Sequence, residues 1–302
     1  MQVALHFQSD RAHTLRRPLE GAGADVCDFE GRLLGGEDAV ICGSPGLLSE
    51  HMGSRVPVIL RLRGNMWAER GGGHVGSLRS WFKDQLLSSV CDGVLTPDAR
   101  LDRMLRERTG VTNTAAVGLP VVEEDWPAVK HTDETLRCLT LTNLDYERKI
   151  APLYRWTTRF EEFAAGTDHR WRICGDGEYS GEFAEHVRNM DSVSFEGFQP
   201  ARDELAAANL MLHPSGMDIT LPNAVLEGVA SNLPVVTTEF GGFCETNGVV
   251  SIADRRLEST LEWFTDSGER AGHAAHVRRE IVESHAPERI GEQIKQFVES
   301  TV

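Results

Sequence analysis

Short, almost wholly apolar runs recur along this chain, each followed by a polar or amphipathic stretch, and no other feature limits its folding as much. A strand that is apolar at successive positions, not at every second one, has to be covered on both faces. Helices in the crossovers between parallel strands supply that cover, so the alternation specifies an α/β fold with a parallel, doubly wound sheet. In the first 120 residues, Val3–Phe7, Val26–Phe29, Ala39–Cys42, Val56–Leu62, Gly93–Thr96 and Ala115–Val117 read as buried strands. Between them lie amphipathic stretches such as Leu78–Val90 and Asp98–Thr109. The latter opens on Pro97-Asp98, sets Leu101, Met104 and Leu105 at helical spacing, and stops at Gly110.

The pattern breaks at residues 118–132 (GLPVVEEDWPAVKHT), which hold two prolines and four charges and have no usable period, as a linker would. It restarts with strand candidates Leu136–Thr142, Trp171–Cys174, Val193–Phe195, Leu210–His213, Val235–Thr238 and Val249–Ile252. Helical stretches between them include Ile150–Ala164, Asp203–Ala208 and Asn223–Ala230. A chain of 302 residues is comfortable for two domains of about 150. We therefore expect two Rossmann-like domains, residues 1–125 and 126–285, facing across a cleft. A C-terminal helix, residues 286–302, is expected to pack back on the first. Ligands of such sheets bind beyond the carboxyl ends of the strands.

Composition excludes several classes of function. The formal charge of -15 opposes whole-molecule attraction to nucleic acid. No apolar run has the roughly 18–20 residues of a membrane span, and no charged-then-apolar leader opens the chain, so a cytoplasmic protein is expected. Lysine is confined to Lys83, Lys130, Lys149 and Lys295. An acidic, lysine-poor surface suits a halophilic source, and a high-GC codon bias would favour arginine equally; both readings stand. Cys27, Cys42, Cys91, Cys138, Cys174 and Cys244 form no CxxC pair and read as buried free thiols in a reducing compartment.

The densest chemistry is in residues 210–245, LMLHPSGMDITLPNAVLEGVASNLPVVTTEFGGFCE. Strand Leu210–His213 runs into a polar loop, and a helix begins at Leu221-Pro222-Asn223, proline being well placed in a first turn. Free N–H groups around Thr220–Ala224, with the helix dipole behind them, make an anion site. Glu227 lies one turn on, in an otherwise apolar segment, where a carboxylate faces a polar ligand or is desolvated. Ribose hydroxyls near a bound nucleotide are its natural partners; a helix glutamate facing water is the plainer reading. After Pro234–Thr238, Gly241-Gly242 lets the backbone approach a ligand, and Glu245 follows.

This order resembles the donor-binding half of GT-B retaining glycosyltransferases, and specifically glycosyltransferase family 4 (group 1). The matching pieces read Leu226-Glu227-Gly228-Val229-Ala230-Ser231, Pro234-Val235-Val236-Thr237-Thr238 and Gly241-Gly242-Phe243-Cys244-Glu245. Upstream, Thr142-Asn143-Leu144 with Arg148-Lys149, Gly175-Asp176-Gly177, Val193 with Phe195-Glu196-Gly197-Phe198, and Ala208-Asn209-Leu210 match in the same order. The resemblance implies transfer of a sugar, of hexosyltransferase type, from a nucleotide-sugar donor to a glycan or lipid-linked acceptor. It implies retained anomeric configuration, no cofactor and no essential metal. The donor would meet Thr220, Leu221, Pro222, Asn223, Glu227, Gly197, Phe198, Gly241, Gly242 and Glu245. Arg148 and Lys149 stand where the family carries a phosphate-binding cation. Two departures are visible: Asn143 occupies a position usually held by arginine, and Ile219, eight before Glu227, replaces the first acid of a paired-carboxylate motif. Asp218 beside it is the candidate substitute, given a one-residue shift of the loop; an ordinary loop aspartate is the other reading.

The first domain is expected to bind the acceptor. Residues 51–83 carry Arg55, Arg61, Arg63, Arg70, Arg79 and Lys83 against one acid, Glu69, with Trp67, Trp81 and Phe82 interleaved. Such a surface suits peripheral docking at an anionic membrane, although the aromatics would serve equally in a core. Arg63 and Asn65, just past a strand, are the site candidates of this half, His74 is a weaker one, and residues 71–76 form a flexible loop candidate. The scattered histidines have no metal-ligand spacing. Two other readings use the same fold: a non-catalytic nucleotide- or sugar-binding subunit, and a sugar-nucleotide epimerase, which would need a cluster of acids and histidines that the sequence lacks.

Overall fold

The protein is described from a computed structural model covering residues 1–302 apart from 8–12, 30, 32, 34–35, 63–83, 86, 219 and 240–247. The chain divides into two compact units, Met1–Pro120 with Ser284–Val302, and Val121–Glu283. Each is an α/β unit around a six-stranded sheet in which every described strand pair is parallel.

In the first unit β1 (Gln2–His6), β2 (Asp25–Asp28), β3 (Ala39–Cys42), β4 (Val58–Arg61), β5 (Gly93–Thr96) and β6 (Thr114–Ala116) lie in the order β2-β1-β3-β4-β5-β6. Every residue of β3, β4 and β5 is buried, as two covered faces require. α1 (His13–Gly21), α2 (Ala99–Thr109) and the C-terminal α9 (Pro287–Thr301) supply the cover. α2 forms for reasons local to the sequence. Asp98 Oδ1 accepts the Leu101 N–H at 2.7 Å, and Gly110 closes the helix in the left-handed region at φ 72°. α9 is amphipathic: Ile290, Ile294, Phe297 and Val298 share one face and join Val3, Leu5, Leu15 and Leu19 in a single core. Arg61, counted above in a basic surface, belongs to this interior. It is 1 % exposed, and its guanidinium donates to the carbonyls of Val117 at 2.7 Å and Gly118 at 2.6 Å. A charge at the carboxyl end of a buried strand needs such acceptors. Residues 63–83, the bulk of the basic aromatic segment with Arg63, Asn65 and His74, lie outside the described residues.

In the second unit β7 (Arg137–Leu141), β8 (Arg170–Cys174), β9 (Val193–Phe195), β10 (Leu210–His213), β11 (Val235–Thr238) and β12 (Val250–Ile252) run β12-β11-β10-β7-β8-β9. This is the Rossmann strand order, with its reversal between β7 and β10. α3 (Glu147–Ala164), α4 (Ser180–Val187), α5 (Ala201–Ala207), α6 (Asn223–Ala230), α7 (Leu257–Thr265) and α8 (Ser267–Ser284) accompany it. The core is aromatic, built on Trp156 and Phe160 of α3, Trp171 of β8 and Phe183 of α4. Trp171 buries its ring and satisfies its N–H on Thr140 Oγ1 at 3.0 Å.

The segment expected to be a plain linker is more ordered than that. It carries a short 3₁₀ turn at Glu123–Asp125, and its later part is strapped to the end of α6. Val129 N–H donates to Ser231 O at 3.0 Å, and Asn232, in the left-handed region at φ 62°, donates from Nδ2 to Val129 O at 2.9 Å. Asparagine tolerates that backbone because its short amide can bond locally. The chain returns to the first unit at Ser284. Cys42, Cys138 and Cys174 are buried free thiols, Cys27 and Cys91 are half-buried and free, and Cys244 lies outside the described residues. No described helix is long and apolar enough to cross a membrane.

Candidate functional site

Where strand order reverses in a doubly wound sheet, the loops leaving the two central strands diverge and open a crevice at their carboxyl ends. In the second unit those strands are β7 and β10, paired Leu210 to Cys138 and Met211 to Leu139. The crevice is therefore bordered by residues 142–146, which lead into α3, and residues 214–222, which lead into α6.

The first border is held by close backbone contact. A side chain on Gly175 would drive its Cβ into the Thr142 carbonyl oxygen, so the Gly175-Asp176-Gly177 turn after β8 can lie against the β7 loop only because its first residue is glycine. Leu144 N–H then donates to Asp176 O at 2.9 Å, and Gly175 N–H to Gly197 O at 2.8 Å, tying in the turn after β9. Gly197 sits in the left-handed region at φ 67°, and the ring of Phe198 beside it is 79 % exposed.

α3 starts without a side-chain cap, Tyr146 making no such bond. Its first turn carries Arg148 and Lys149, cations at the positive end of the helix dipole. That placement is unfavourable unless anions compensate, and Lys149 has one: its Nζ lies 3.4 Å from Asp218 Oδ1. Arg148 is exposed, and among the described residues its guanidinium has no partner. Pro152, four residues on, has no N–H to return to the Arg148 carbonyl. The β10 loop fills the gap: a Cβ on Gly216 would lie 2.6 Å from Arg148 O. Proline in one element and glycine in the next thus bring the two loops together.

The β10 loop is fixed by hydroxyls. Ser215 N–H donates to Thr238 Oγ1 at 3.0 Å, and Ser215 Oγ accepts from the N–H groups of Met217 at 3.3 Å and Asp218 at 3.1 Å. Asp218 Oδ2 meets Nε2 of His213, the last residue of β10 and 1 % exposed, at 3.0 Å. Burial by itself would raise the Asp218 carboxyl. The hydrogen bond and charge of His213, the charge of Lys149 and the bond to Ser215 outweigh it and hold the carboxyl well below the usual carboxylate range. Asp218, on the β10 loop, is therefore ionised and bonded to protein groups.

α6 begins after Pro222, again without a side-chain cap; the Val225 N–H closes on the Pro222 carbonyl at 3.0 Å, which leaves the N–H groups of Asn223 and Ala224 open to an anion. Thr220 is buried, Leu221 and Pro222 are half-buried and Asn223 is exposed. Glu227 lies four residues beyond Asn223, on the same face. Its neighbours Val225, Leu226, Gly228, Val229 and Ala230 are all buried. Burial pushes its carboxyl above the ordinary value, and among the described residues that carboxyl has no partner. Ile219, Gly241, Gly242 and Glu245 lie outside the described residues.

The structure thus brings Arg148, Lys149 and Asp218 together with the start of α6 and Glu227 around the carboxyl ends of β7 and β10. His213 and Ser215 were not among the sequence candidates; the signal for His213 was a histidine closing an otherwise apolar strand five residues before an aspartate. No trio of metal-ligating side chains occurs here among the described residues. The arrangement suits an anionic ligand with hydroxyl groups: cations and bare N–H groups for the charge, and a carboxylate for the hydroxyls.

Residues 137–260 match the family model of group 1 glycosyl transferases. A putative glycosyltransferase, ORF31 of a virus (isolate Australia/Victoria), is 29 % identical over 307 residues, covering 97 % of this chain and 95 % of its own. Among solved structures, Anabaena Alr3699/HepE in complex with UDP-glucose superposes with a TM-score of 0.76 at 14 % identity, over 99 % of this chain and 100 % of that one. S. aureus TarM superposes with a TM-score of 0.71 at 16 % identity, over 86 % of this chain and 54 % of TarM, so the present chain spans about half of that protein. Fold and family match agree: the chain is a glycosyltransferase built from two Rossmann-like domains of the GT-B class.

Proposed function

We propose that this glycosyltransferase moves a hexose from a nucleoside-diphosphate sugar to a glycan or lipid-linked acceptor, with retention and without a divalent metal at the diphosphate. The observation that carries the reading is the pairing, at the β7/β10 switch point, of two uncapped helix starts with Arg148, a cation that lacks a partner among the described residues. Cleavage of the anomeric carbon–oxygen bond builds negative charge on the leaving diphosphate, and preorganised donors stabilise that charge without reorganising. Each charge-assisted hydrogen bond contributes about 1.5–3 kcal/mol. Glu227 accepts hydrogen bonds from the ribose hydroxyls. Asp218 and His213 act one step back: they fix Lys149 and the β10 loop, so the reacting groups meet a rigid border.

No protein nucleophile is required. The acceptor oxygen bonds the anomeric carbon on the face the diphosphate leaves, and its proton passes to a phosphate oxygen of the departing group. UDP-glucose is the first donor to try, since HepE holds it in a fold of this kind. The protein is incubated with UDP-glucose and other nucleotide sugars, and nucleoside diphosphate release is followed with EDTA and with magnesium. Release that needs no added metal is expected. Absence of release with every donor, or activity abolished by EDTA and restored only by magnesium, overturns the reading.

A further inference from the structure

The first unit has a switch point of its own, and a cluster there plays no part in the chemistry above. Its sheet reverses between β1 and β3, the two strands whose last residues are His6 and Cys42. These residues pair directly across the ladder, so their side chains leave the sheet on one face. The 3₁₀ segment Pro45–His51 that follows β3 ends on His51, whose Nε2 lies 2.8 Å from His6 Nδ1. One ring nitrogen of each histidine and the Cys42 sulfur all lie within 4.8 Å of one another, the one such trio among the described residues.

From this geometry we propose that His6, Cys42 and His51 form a binding site for a zinc-class divalent cation, independent of the glycosyl-transfer site. Zinc takes imidazole nitrogen at about 2.0–2.1 Å and thiolate sulfur at about 2.3 Å in a tetrahedral shell. Such a shell has edges of about 3.3–3.6 Å, so the nitrogens part by roughly half an ångström and the sulfur closes by up to about 1.2 Å. The surroundings are those of a ligand set. Nε2 of His6, the nitrogen that does not face His51, lies 3.7 Å from Glu50 Oε2, so a small side-chain movement brings the carboxylate onto the ring N–H, the arrangement that orients a ligating imidazole. The Phe29 ring packs on both imidazoles, with centroids 4.4 Å from His6 and 4.7 Å from His51, and shields the trio on that side. Cys42 is fully buried and His51 is 4 % exposed, while the half-exposed Glu50 marks the entry side.

On binding, the Cys42 thiol gives its proton to solvent and ligates as thiolate. The proton shared between the facing nitrogens moves to the far nitrogen of its own ring, and both lone pairs go to the metal. Three protein ligands leave a fourth position for water.

The metal-free full-length chain is titrated with zinc against a chromogenic chelator, and separately loaded with cobalt. One equivalent is expected to bind, with a sulfur-to-cobalt charge-transfer band. Cys42→Ser should remove the band and weaken zinc binding by at least about tenfold. His51→Gln, checked for folding by circular dichroism, gives the second reading should the serine variant unfold. Glu50→Gln should weaken binding by about tenfold, the lower end of what loss of an orienting carboxylate costs. No stoichiometric binding by the wild type, a cobalt spectrum without the sulfur band, or undiminished affinity in the variants overturns the proposal. These readouts are independent of sugar transfer, so failure of one reading leaves the other standing.

Discussion

Two carboxylates of the second unit, nine residues apart in sequence, are shifted in opposite directions by their surroundings. Asp218 is ionised and satisfied by His213, Lys149 and Ser215, while Glu227 is desolvated and has no partner among the described residues. The unsatisfied one is the ligand-facing candidate, because a half-buried, partly desolvated carboxylate gains most from a ligand that supplies a donor. Glu227→Ala is accordingly expected to weaken nucleoside diphosphate binding by about tenfold, about 1–2 kcal/mol for the lost hydrogen bonds. Calorimetric titration checks it, and an unchanged Kd would remove Glu227 from the ribose. Replacing both Arg148 and Lys149 with Ala should lower kcat more than the melting temperature. Normal turnover in that variant would move the diphosphate elsewhere.

At the scale of elements, the site depends on how closely two loops approach. The Arg148 carbonyl, released from the helix ladder by Pro152, is covered by Gly216 at a separation that admits no side chain. Gly216→Val is expected to displace the β10 loop and with it Asp218, because the atom it meets is backbone and cannot swing aside. Overpacking of this kind costs about 1–3 kcal/mol. The variant should lose most nucleotide affinity while keeping the far-UV circular dichroism of the parent. A variant that binds nucleotide normally would show that the loop does not border the ligand. The termini of α3 and β10 were legible in the sequence, α3 to within its first turn. The approach between them was not, because a proline and a glycine 64 residues apart carry no signal that they touch.

For the whole molecule, the acid limb of stability follows from half-buried histidines. Burial lowers the pKa of His131, His169, His273 and His285 below the ordinary value of 6.5. The unfolded chain then binds more protons than the native one between the two values, so stability rises with pH through that window. The contribution is present above about pH 6.5 and is lost as pH falls through the lowered native values. Asp218, also lowered, gives up its share only at much lower pH, and Glu227, raised by burial, acts weakly in the opposite sense. The melting temperature should fall from pH 7.5 to pH 5; a flat profile over that range contradicts the assignment.

The sequence by itself determined the architecture. Runs such as Ala39–Cys42, Gly93–Thr96, Leu210–His213 and Val235–Thr238 coincide with β3, β5, β10 and β11, because a strand covered on both faces writes its burial directly into composition. The residues of the donor half were readable for the same local reason: a helix start, a lone carboxylate in an apolar helix and glycines at turns each act within a few positions. α1, α4 and α7, of nine residues or fewer, span too few turns to stand out as a pattern, and α8, though 18 residues long, has little apolar period; none of the four was read. Only the tertiary structure decided what distant residues do to one another. It sent Arg61 into the interior, tied Asp218 to His213 and Lys149, and set Cys42 beside His6 and His51. Such partnerships depend on strand order and on side-chain packing between segments far apart in sequence, and no local pattern records them.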